Sequence, residues 1–350
     1  MAMTGRLTSK DVAAAAGVSQ STVSLVMGGK WTGRVSPATA HTVLETAERL
    51  GYRPNRAARS LRMGSTRTLL LVVPTLANPF FAHVHAGAAR AAAGHEFGVI
   101  VHQRTGYDDR ESLTVPHEAI DGVLATSMEA DLVAELRGIP LVMLDSEPGP
   151  APTVNVDVEE GMRLLTGHLA VLGHRRFAHL ASEVDSWTFR ARGEALAGAV
   201  AAVRGATLVR RPTAISVQAA RAAARALLAP AHPPGAPGGS WKRLAGRRTA
   251  SADAPGRVTA LVCDDDVIAA GAYKAARDLG LAVPGDLSIT GFDDVLLAEA
   301  LEPELTTVRL PAEELGARGV ETLLELLAGG EPPAVRLPVD LVVRASTGPA

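Results

Sequence analysis

The sequence predicts an α/β protein: two lobes, each a doubly wound parallel sheet, preceded by a small all-α head. Three observations carry this. From residue 69 onward, continuous apolar runs alternate with helical segments, the pattern of strands covered on both faces. That alternation occurs twice in succession, which implies two sheets and hence two lobes. The first fifty residues have no such runs and show instead the three-to-four-residue apolar spacing of short helices.

Length and composition are consistent with this. A chain of 350 residues with 47 % hydrophobic content can fill two or three cores. The net charge of −2 is unevenly spread: residues 1–66 hold nine Lys and Arg against Asp11, Glu45 and Glu48, a net of +6, which leaves −8 on the rest. A basic head on an acidic body fits a phosphate-binding module fused to a soluble domain. The single cysteine, Cys263, permits no intramolecular disulfide and fits a reducing cytoplasm. No apolar run follows the first basic residues, so neither a signal peptide nor a membrane span is expected.

In the head, Thr8 with Asp11 forms a capping-box start, Val12, Ala13 and Ala16 share a face, and Gly17 ends the helix. Ser19 can cap a second helix in which Val23, Val26 and Met27 turn inward, leaving Gln20, Ser21, Ser24 and Leu25 on the opposite face. Two short helices joined by a tight Gly-containing turn make a helix-turn-helix, whose second helix enters the DNA major groove. A hairpin of this length can equally be packing alone. Ser36-Pro37 then starts a third helix with Val43, Leu44, Ala47 and Leu50 inward, ended by Gly51. Residues 52–64, Y-R-P-N-R-A-A-R-S-L-R-M-G, carry a narrow apolar strip of Ala57, Ala58 and Leu61 between arginines. A helix this short is unstable alone in water, so it is either a charged linker or a hinge that orders against a partner.

The motifs D-V-A-x-x-A-G-V-S-x-x-T-V-S, Gly51-Tyr52-x-Pro54-Asn55 and Ala58-Arg59-Ser60-Leu61 resemble the head and hinge of the LacI/GalR transcriptional regulators. The resemblance extends to the C-terminus through N-P-F-F at 78–81, H-L-x-x-L-G-H-R-R at 168–176, D-D-x-x-A-x-G at 265–271, G-L-x-V-P-x-D-x-S-I-x-G-F-D-D at 280–294, L-T-T-V at 305–308 and L-V-V-R-A-S-T at 341–347. It implies a periplasmic-binding-protein-like effector domain whose chain crosses between lobes three times.

For the body, apolar runs place strands at 69–73, 97–101, 121–125 and 140–145, with helices at 79–93 and 131–137. The second set comprises helices at 159–172, 189–203, 217–228 and 267–279 and strands at 177–181, 258–262 and 287–291. The domain map is a head at 1–51, a hinge at 52–66, lobe 1 at 67–155 plus 294–327 with a final helix at 312–327, and lobe 2 at 156–293 plus 328–350. Residues 229–257, rich in Pro, Gly and Arg, read as a flexible insert. Between 107 and 120 the chain is short, contains Pro116, and predicts a truncated or irregular helix.

Open parallel sheets bind ligands beyond the carboxyl ends of their strands, so facing lobes would hold one ligand in the cleft between them. The positions matching the family's effector pocket are Phe80, Phe81, Asp145, Arg190 in an R-x-x-G pattern, Asp265, Asp266 and Asp293. Carboxylates and a guanidinium suit a ligand rich in hydroxyls, a sugar or glycoside. Asp265 stands where relatives usually have asparagine, and Glu194 where an aromatic usually follows the glycine; Trp187 is the candidate for the missing ring. Helix capping is the alternative role for Asp265, and lobe core for the two phenylalanines. Asp264, Asp265 and Asp266 are consecutive, so their side chains diverge and specify no metal, and no histidine spacing specifies zinc.

For DNA, Gln20 and Ser21 are the expected base-edge readers, while at Leu25 either apolar contact with a thymine methyl or little selection is expected. Thr8, Ser19, Thr22, Ser24, Tyr52, Asn55 and Arg56 are expected at phosphates. Capping is the equal alternative for Ser19. Leu61 matches the family's hinge leucine that wedges into the minor groove, with Ala58 on the same strip; a core contact with the first lobe is its alternative. The expected molecule is a cytoplasmic repressor that binds double-stranded palindromic operator DNA as a homodimer, with no leucine-heptad tail to make a tetramer. No cofactor is expected. Two rivals are a transport-type sugar-binding protein, suggested by the body alone, and an enzyme, for which no G-x-G-x-x-G, P-loop or G-x-S-x-G turn is present.

Overall fold

The computed structural model describes residues 7–52, 65–104, 119–127, 136, 138–229 and 257–350. The chain divides into two units, Met1–Thr66 and Arg67–Ala350. The first contains helices α1 (Ser9–Ala16), α2 (Gln20–Met27) and α3 (Pro37–Arg49). Each start has a local cause. The Thr8 N–H and hydroxyl both donate to Asp11 Oδ2 at 2.7 Å, Ser19 accepts from the Thr22 N–H, and Ser36 accepts from the Thr39 N–H ahead of Pro37. Gly17 ends α1 at φ 67°, a left-handed conformation that favours glycine.

The head core is Val12, Ala13, Val23, Val26, Ala40, Val43 and Ala47, with Met27 and Leu50 half-buried beside it. Leu44, expected inward, is 47 % exposed. One residue on from Val43 it is turned about 100° around the helix, off the stripe that residues 40, 43 and 47 define.

The second unit contains two parallel sheets. Lobe 1 is built on β1 (Thr68–Val73), β2 (Gly98–Gln103), β3 (Gly122–Thr126), β4 (Leu141–Leu144), β5 (Thr153–Val156) and β11 (Val335–Leu337), in the order β11-β5-β4-β3-β1-β2. Helix α4 (Pro79–Gly94) follows β1 and packs closely on α10 (Ala312–Leu327). Glycines make that approach possible: a Cβ on Gly87 would stand 1.8 Å from Glu313 O, and one on Gly316 1.9 Å from Val84 O.

Lobe 2 is built on β6 (Arg176–Ser182), β7 (Thr207–Thr213), β8 (Ala260–Cys263) and β9 (Ser288–Thr290), in the order β7-β6-β8-β9. Around it lie α5 (Val158–Val171), α6 (Trp187–Ala201), α7 (Val217–Leu228) and α8 (Asp266–Asp278), with the short α9 (Leu296–Ala300) after β9. Outside both sheets, β10 (Thr307–Arg309) pairs antiparallel with β12 (Asp340–Val342). In each large sheet the strand order reverses beside the first strand: β1 lies between β2 and β3, and β6 between β7 and β8. Loops leaving the carboxyl ends there diverge and open a crevice.

The helix at 312–327 has the predicted bounds, and the strands rich in Val and Leu are where the apolar runs place them. One boundary is corrected. Residues 328–350 were expected in lobe 2, but β11 pairs in parallel with β5 of the lobe 1 sheet, as the strand that directly follows α10. The tail beyond it does reach β9, where Ser346 Oγ donates to Ile289 O and the Ile289 N–H donates to Ser346 O. The predicted insert at 229–257, the irregular stretch at 107–120, the helix at 131–137 and the hinge at 52–66 lie wholly or mainly outside the described residues. Among the described residues, no helix is long and apolar enough to cross a membrane.

Candidate functional site

Two sites follow from the sequence, one in each unit. In the head, α2 exposes Gln20, Ser21 and Ser24, with Leu25 half-buried. Local hydrogen bonds order this face. Ser19 Oγ lies 2.7 Å from Ser21 Oγ and 2.9 Å from Thr22 Oγ1, and Gln20 Nε2 donates to Ser9 Oγ at 2.9 Å. Ser19, Thr8 and Thr22 are therefore engaged in capping, and their hydroxyls stand at the exposed helix starts. Tyr52 is half-buried against the head core. Asn55, Arg56, Ala58 and Leu61 lie outside the described residues.

The second site is where the carboxyl ends of the two sheets meet. Asn78, which follows β1, caps α4 by accepting from the Phe80 N–H, so its amide is fixed. Its Nδ2 donates across to lobe 2, to Asp265 Oδ2 and to Asp293 Oδ2, each at 3.2 Å. Asp265 follows β8 and caps α8, with Oδ1 accepting from the Val267 and Ile268 N–H groups. One carboxylate thus serves both the cap and the cleft.

Arg192 approaches the same acids from α6. It is 3 % exposed and lies 4.0 Å over the Phe292 ring and 5.3 Å over that of Phe189. It donates to the Asp264 carbonyl and, at 3.4 Å, to Asp293 Oδ1. Behind it, His179 Nε2 and Asp264 Oδ1 are 2.6 Å apart and wholly buried. From lobe 1, Asp145 at the end of β4 is also buried; Ser127 Oγ donates to its Oδ2 at 3.4 Å, and the Thr188 hydroxyl of α6 faces the same carboxyl from lobe 2.

Burial dominates the electrostatics. It raises the pKa of Asp145 and of Asp265, and pushes Asp293 up to about 8, against the opposing charge of Arg192 in each case. Four of the six described non-glycine residues at positive φ are Ser127, Asp145, Asp293 and Asp294, all just beyond strands at this junction. Such backbone is costly, and it gathers where side chains must be aimed.

The expected pocket residues are divided by this geometry. Asp145, Asp265 and Asp293 come together. Arg190 stands at the rim, 45 % exposed, bound to Asp185 at 2.6 Å and, across the lobes, to Glu147 at 3.6 Å. Trp187 is half-buried against the larger hydrophobic core. Phe80 and Phe81 are buried in that core edge-to-face at 5.3 Å, so their core role accounts for both rings. Asp266 is corrected: its oxygens are taken by the Thr307 hydroxyl at 2.7 Å and the Val295 N–H at 2.9 Å, which ties it to the crossover segments.

Asn78, Ser127 and Arg192 were missed. Arg192 lies one helical turn beyond Thr188 and Phe189, both buried, whereas Arg190 falls on the outer face. Helical spacing would have separated the two arginines.

Three family models match the chain: bacterial regulatory proteins of the lacI family over residues 8–55, periplasmic binding proteins and sugar binding domain of the LacI family over 66–233, and a periplasmic binding protein-like domain over 166–347. The chain belongs to the LacI family. Among LacI-family relatives, the HTH-type transcriptional regulator reg1 of Streptomyces lividans is 35 % identical, covering 99 % of this chain and 98 % of its own. MalR of Streptomyces coelicolor, another HTH-type transcriptional regulator, is 32 % identical with the same coverage. The solved complex of the transcriptional regulator CelR with cellobiose is 28 % identical, with a TM-score of 0.64 over 97 % of this chain and 100 % of that one. This LacI-family chain is therefore a DNA-binding transcriptional regulator and not an enzyme, and its matched head answers the transport-receptor alternative.

Proposed function

We propose that the chain is a cytoplasmic repressor that binds a palindromic operator as a homodimer and changes its DNA affinity when a sugar or glycoside occupies the cleft between its lobes. The observation that carries this reading is the cleft itself: fixed donors and acceptors from both lobes converge on it, in a chain whose head exposes Gln20, Ser21 and Ser24 on its second helix. A polyol bridging the lobes would replace some of these bonds and alter the angle between the lobes. In a dimer that angle sets the separation of the two hinges, and with it the fit to two half-sites.

In this reading Gln20 and Ser21 meet base edges, Leu25 meets a thymine methyl, and Thr8, Ser19, Thr22, Ser24, Tyr52, Asn55 and Arg56 meet phosphates. Ala58 and Leu61 enter the minor groove at the operator centre. Asp145, Arg192, Asp265 and Asp293 meet the effector, with Trp187 and Arg190 nearer the rim. A gel shift with the chain's own upstream DNA, titrated with sugars, glycosides and nucleosides, tests the whole. Salt-sensitive, sequence-selective binding that one ligand class shifts supports it; binding to all DNA alike argues against it. Gln20→Ala should change the preference at one base pair, by about 1–3 kcal/mol, and leave the others as they were.

A further inference from the structure

Resting on that cleft reading, we propose that His179 and Asp264 are positioning residues of the ligand site: touching no ligand themselves, they free the Asp264 carbonyl to hold Arg192 in place. The pairing of β6 with β8 shows how. Its last register pair is Leu180 with Cys263. One step further the Asp264 N–H still donates to Leu180 O, at 3.3 Å, and the next bond of a parallel ladder would run from the Ser182 N–H to the Asp264 carbonyl. The Ser182 N–H donates instead to the side chain, to Asp264 Oδ2 at 2.8 Å.

The carboxylate has thus taken the ladder place of its own carbonyl, and the carbonyl is left to accept from Arg192 Nη1. His179 keeps the exchange in place. Its Nε2 lies 2.6 Å from Asp264 Oδ1, and because a carboxylate oxygen accepts, Nε2 is the donor. The other ring nitrogen, Nδ1, has no partner among the described residues, so the bond to Asp264 is the one polar contact that orients the ring. A Cβ on Gly193 would stand 3.8 Å from His179 Cε1, which places the ring beneath the turn of α6 that carries Arg192.

Arg192 depends on that carbonyl. Its bond to Asp293 Oδ1 is long at 3.4 Å, and the Phe292 ring 4.0 Å away offers a broad face rather than a point of attachment. Stability does not account for the pair. Both side chains are wholly buried, and a buried pair of this kind holds a fold no better than apolar side chains of like size. Turning a main-chain carbonyl out of the ladder is what apolar side chains cannot do.

The test uses the full-length chain and a double variant, His179→Leu with Asp264→Ala. Without the carboxylate, the Ser182 N–H is expected to recover the carbonyl at position 264 and Arg192 to lose it. Isothermal titration with ribose, maltose and cellobiose should show the affinity for a sugar that binds the wild type weakened about tenfold or more, the effect of one lost hydrogen bond to a charged group. The melting temperature should stay close to the wild-type value. His179→Gln, which places an amide N–H near the position of Nε2, should keep most of the affinity. Unchanged affinity in the double variant overturns the positioning role. Equal affinities for His179→Leu and His179→Gln overturn it too, a comparison that stands even where the double variant does not fold.

A second readout needs no sugar: the crystal structure of the ligand-free double variant. The carbonyl at position 264 is expected within hydrogen-bond distance of the Ser182 N–H, with the Arg192 guanidinium displaced from it. A carbonyl that still accepts from Arg192 overturns the proposal. Sugar binding that is lost in Asp145→Ala with Arg192→Ala but kept in the double variant overturns the positioning role and leaves the cleft as the ligand site. Sugar binding that survives Asp145→Ala and Arg192→Ala together overturns the cleft reading as well.

Discussion

Asn78 of lobe 1 and Asp265 of lobe 2 are joined by a hydrogen bond of 3.2 Å between residues 187 apart in the chain. Both are also helix caps, Asn78 for α4 and Asp265 for α8, so each end of the bond is anchored to its own lobe. The bond therefore reports directly on lobe separation. The same amide nitrogen donates to Asp293, which makes Asn78 the donor that holds two buried carboxylates at the junction.

Asn78→Asp keeps the cap acceptor and replaces the donor with a further carboxylate. The lobes of the ligand-free variant should separate. Small-angle scattering is expected to give a larger radius of gyration than for the wild type, together with a lower melting temperature. An unchanged radius would mean that other contacts hold the lobes.

Arg192→Met removes the guanidinium that faces Asp293 inside the molecule and leaves the packing stem. Breaking a buried pair on one side costs about 3–5 kcal/mol, so urea denaturation above pH 8, where Asp293 is ionised, should show a loss of that order. Adding Asp293→Asn removes the stranded charge and should restore part of the stability. A double variant less stable than either single one would show that the two residues act independently.

The pH dependence follows from Asp293, which burial pushes up to about 8. An unfolded aspartate loses its proton near pH ~4. Between the two values the folded state holds a proton that the unfolded state has released, so stability falls as the pH rises and levels off above about 8. Asp145 and Asp265 act in the same direction; His168 and His174, lowered by burial, act in the opposite direction, below the ordinary histidine value. The melting temperature of the ligand-free chain is expected to fall between about pH 6.5 and 8, and Asp293→Asn to flatten that slope. A wild-type profile that rises over this window contradicts the assignment.

Gly316→Ala places a methyl 1.9 Å from Val84 O, where backbone must move to admit it. Overpacking of this kind costs about 1–3 kcal/mol or more. At Gly94, the last residue of α4, nothing lies within 4 Å of an added Cβ. Gly94→Ala should therefore be neutral or slightly stabilising, and differential scanning calorimetry on the pair separates close packing from a general effect of losing glycine.

The sequence made the long elements legible because burial wrote a period into them. The helix at 312–327 and the runs L-L-L-V-V and P-L-V-M-L are examples. Strand β7 escaped notice because T-L-V-R-R-P-T lies at a sheet edge with most of its residues exposed, so neither alternation nor an apolar run marks it. Strands β10, β11 and β12 have three residues each, too few to show a period, and they are held by partners far away in the chain. In the site, Asp145, Asp265 and Asp293 stood out as acids at strand ends. Arg192 and Asn78 did not, because their roles come from contacts between segments 101 to 215 residues apart. Asp266 shows the converse: next to Asp265 in sequence, it turns to Thr307 and Val295.

Occupancy of the cleft, in the function proposed above, changes the grip of the head on DNA. The most direct test is the equilibrium affinity of the full-length chain for a fragment of its upstream DNA at fixed salt, with and without a sugar shown by calorimetry to bind. The expected result is a change of roughly 5- to 150-fold, the range of a coupling of about 1–3 kcal/mol, and its loss when Asp145 and Arg192 are both replaced by alanine. Equal affinities at zero and saturating sugar would contradict it.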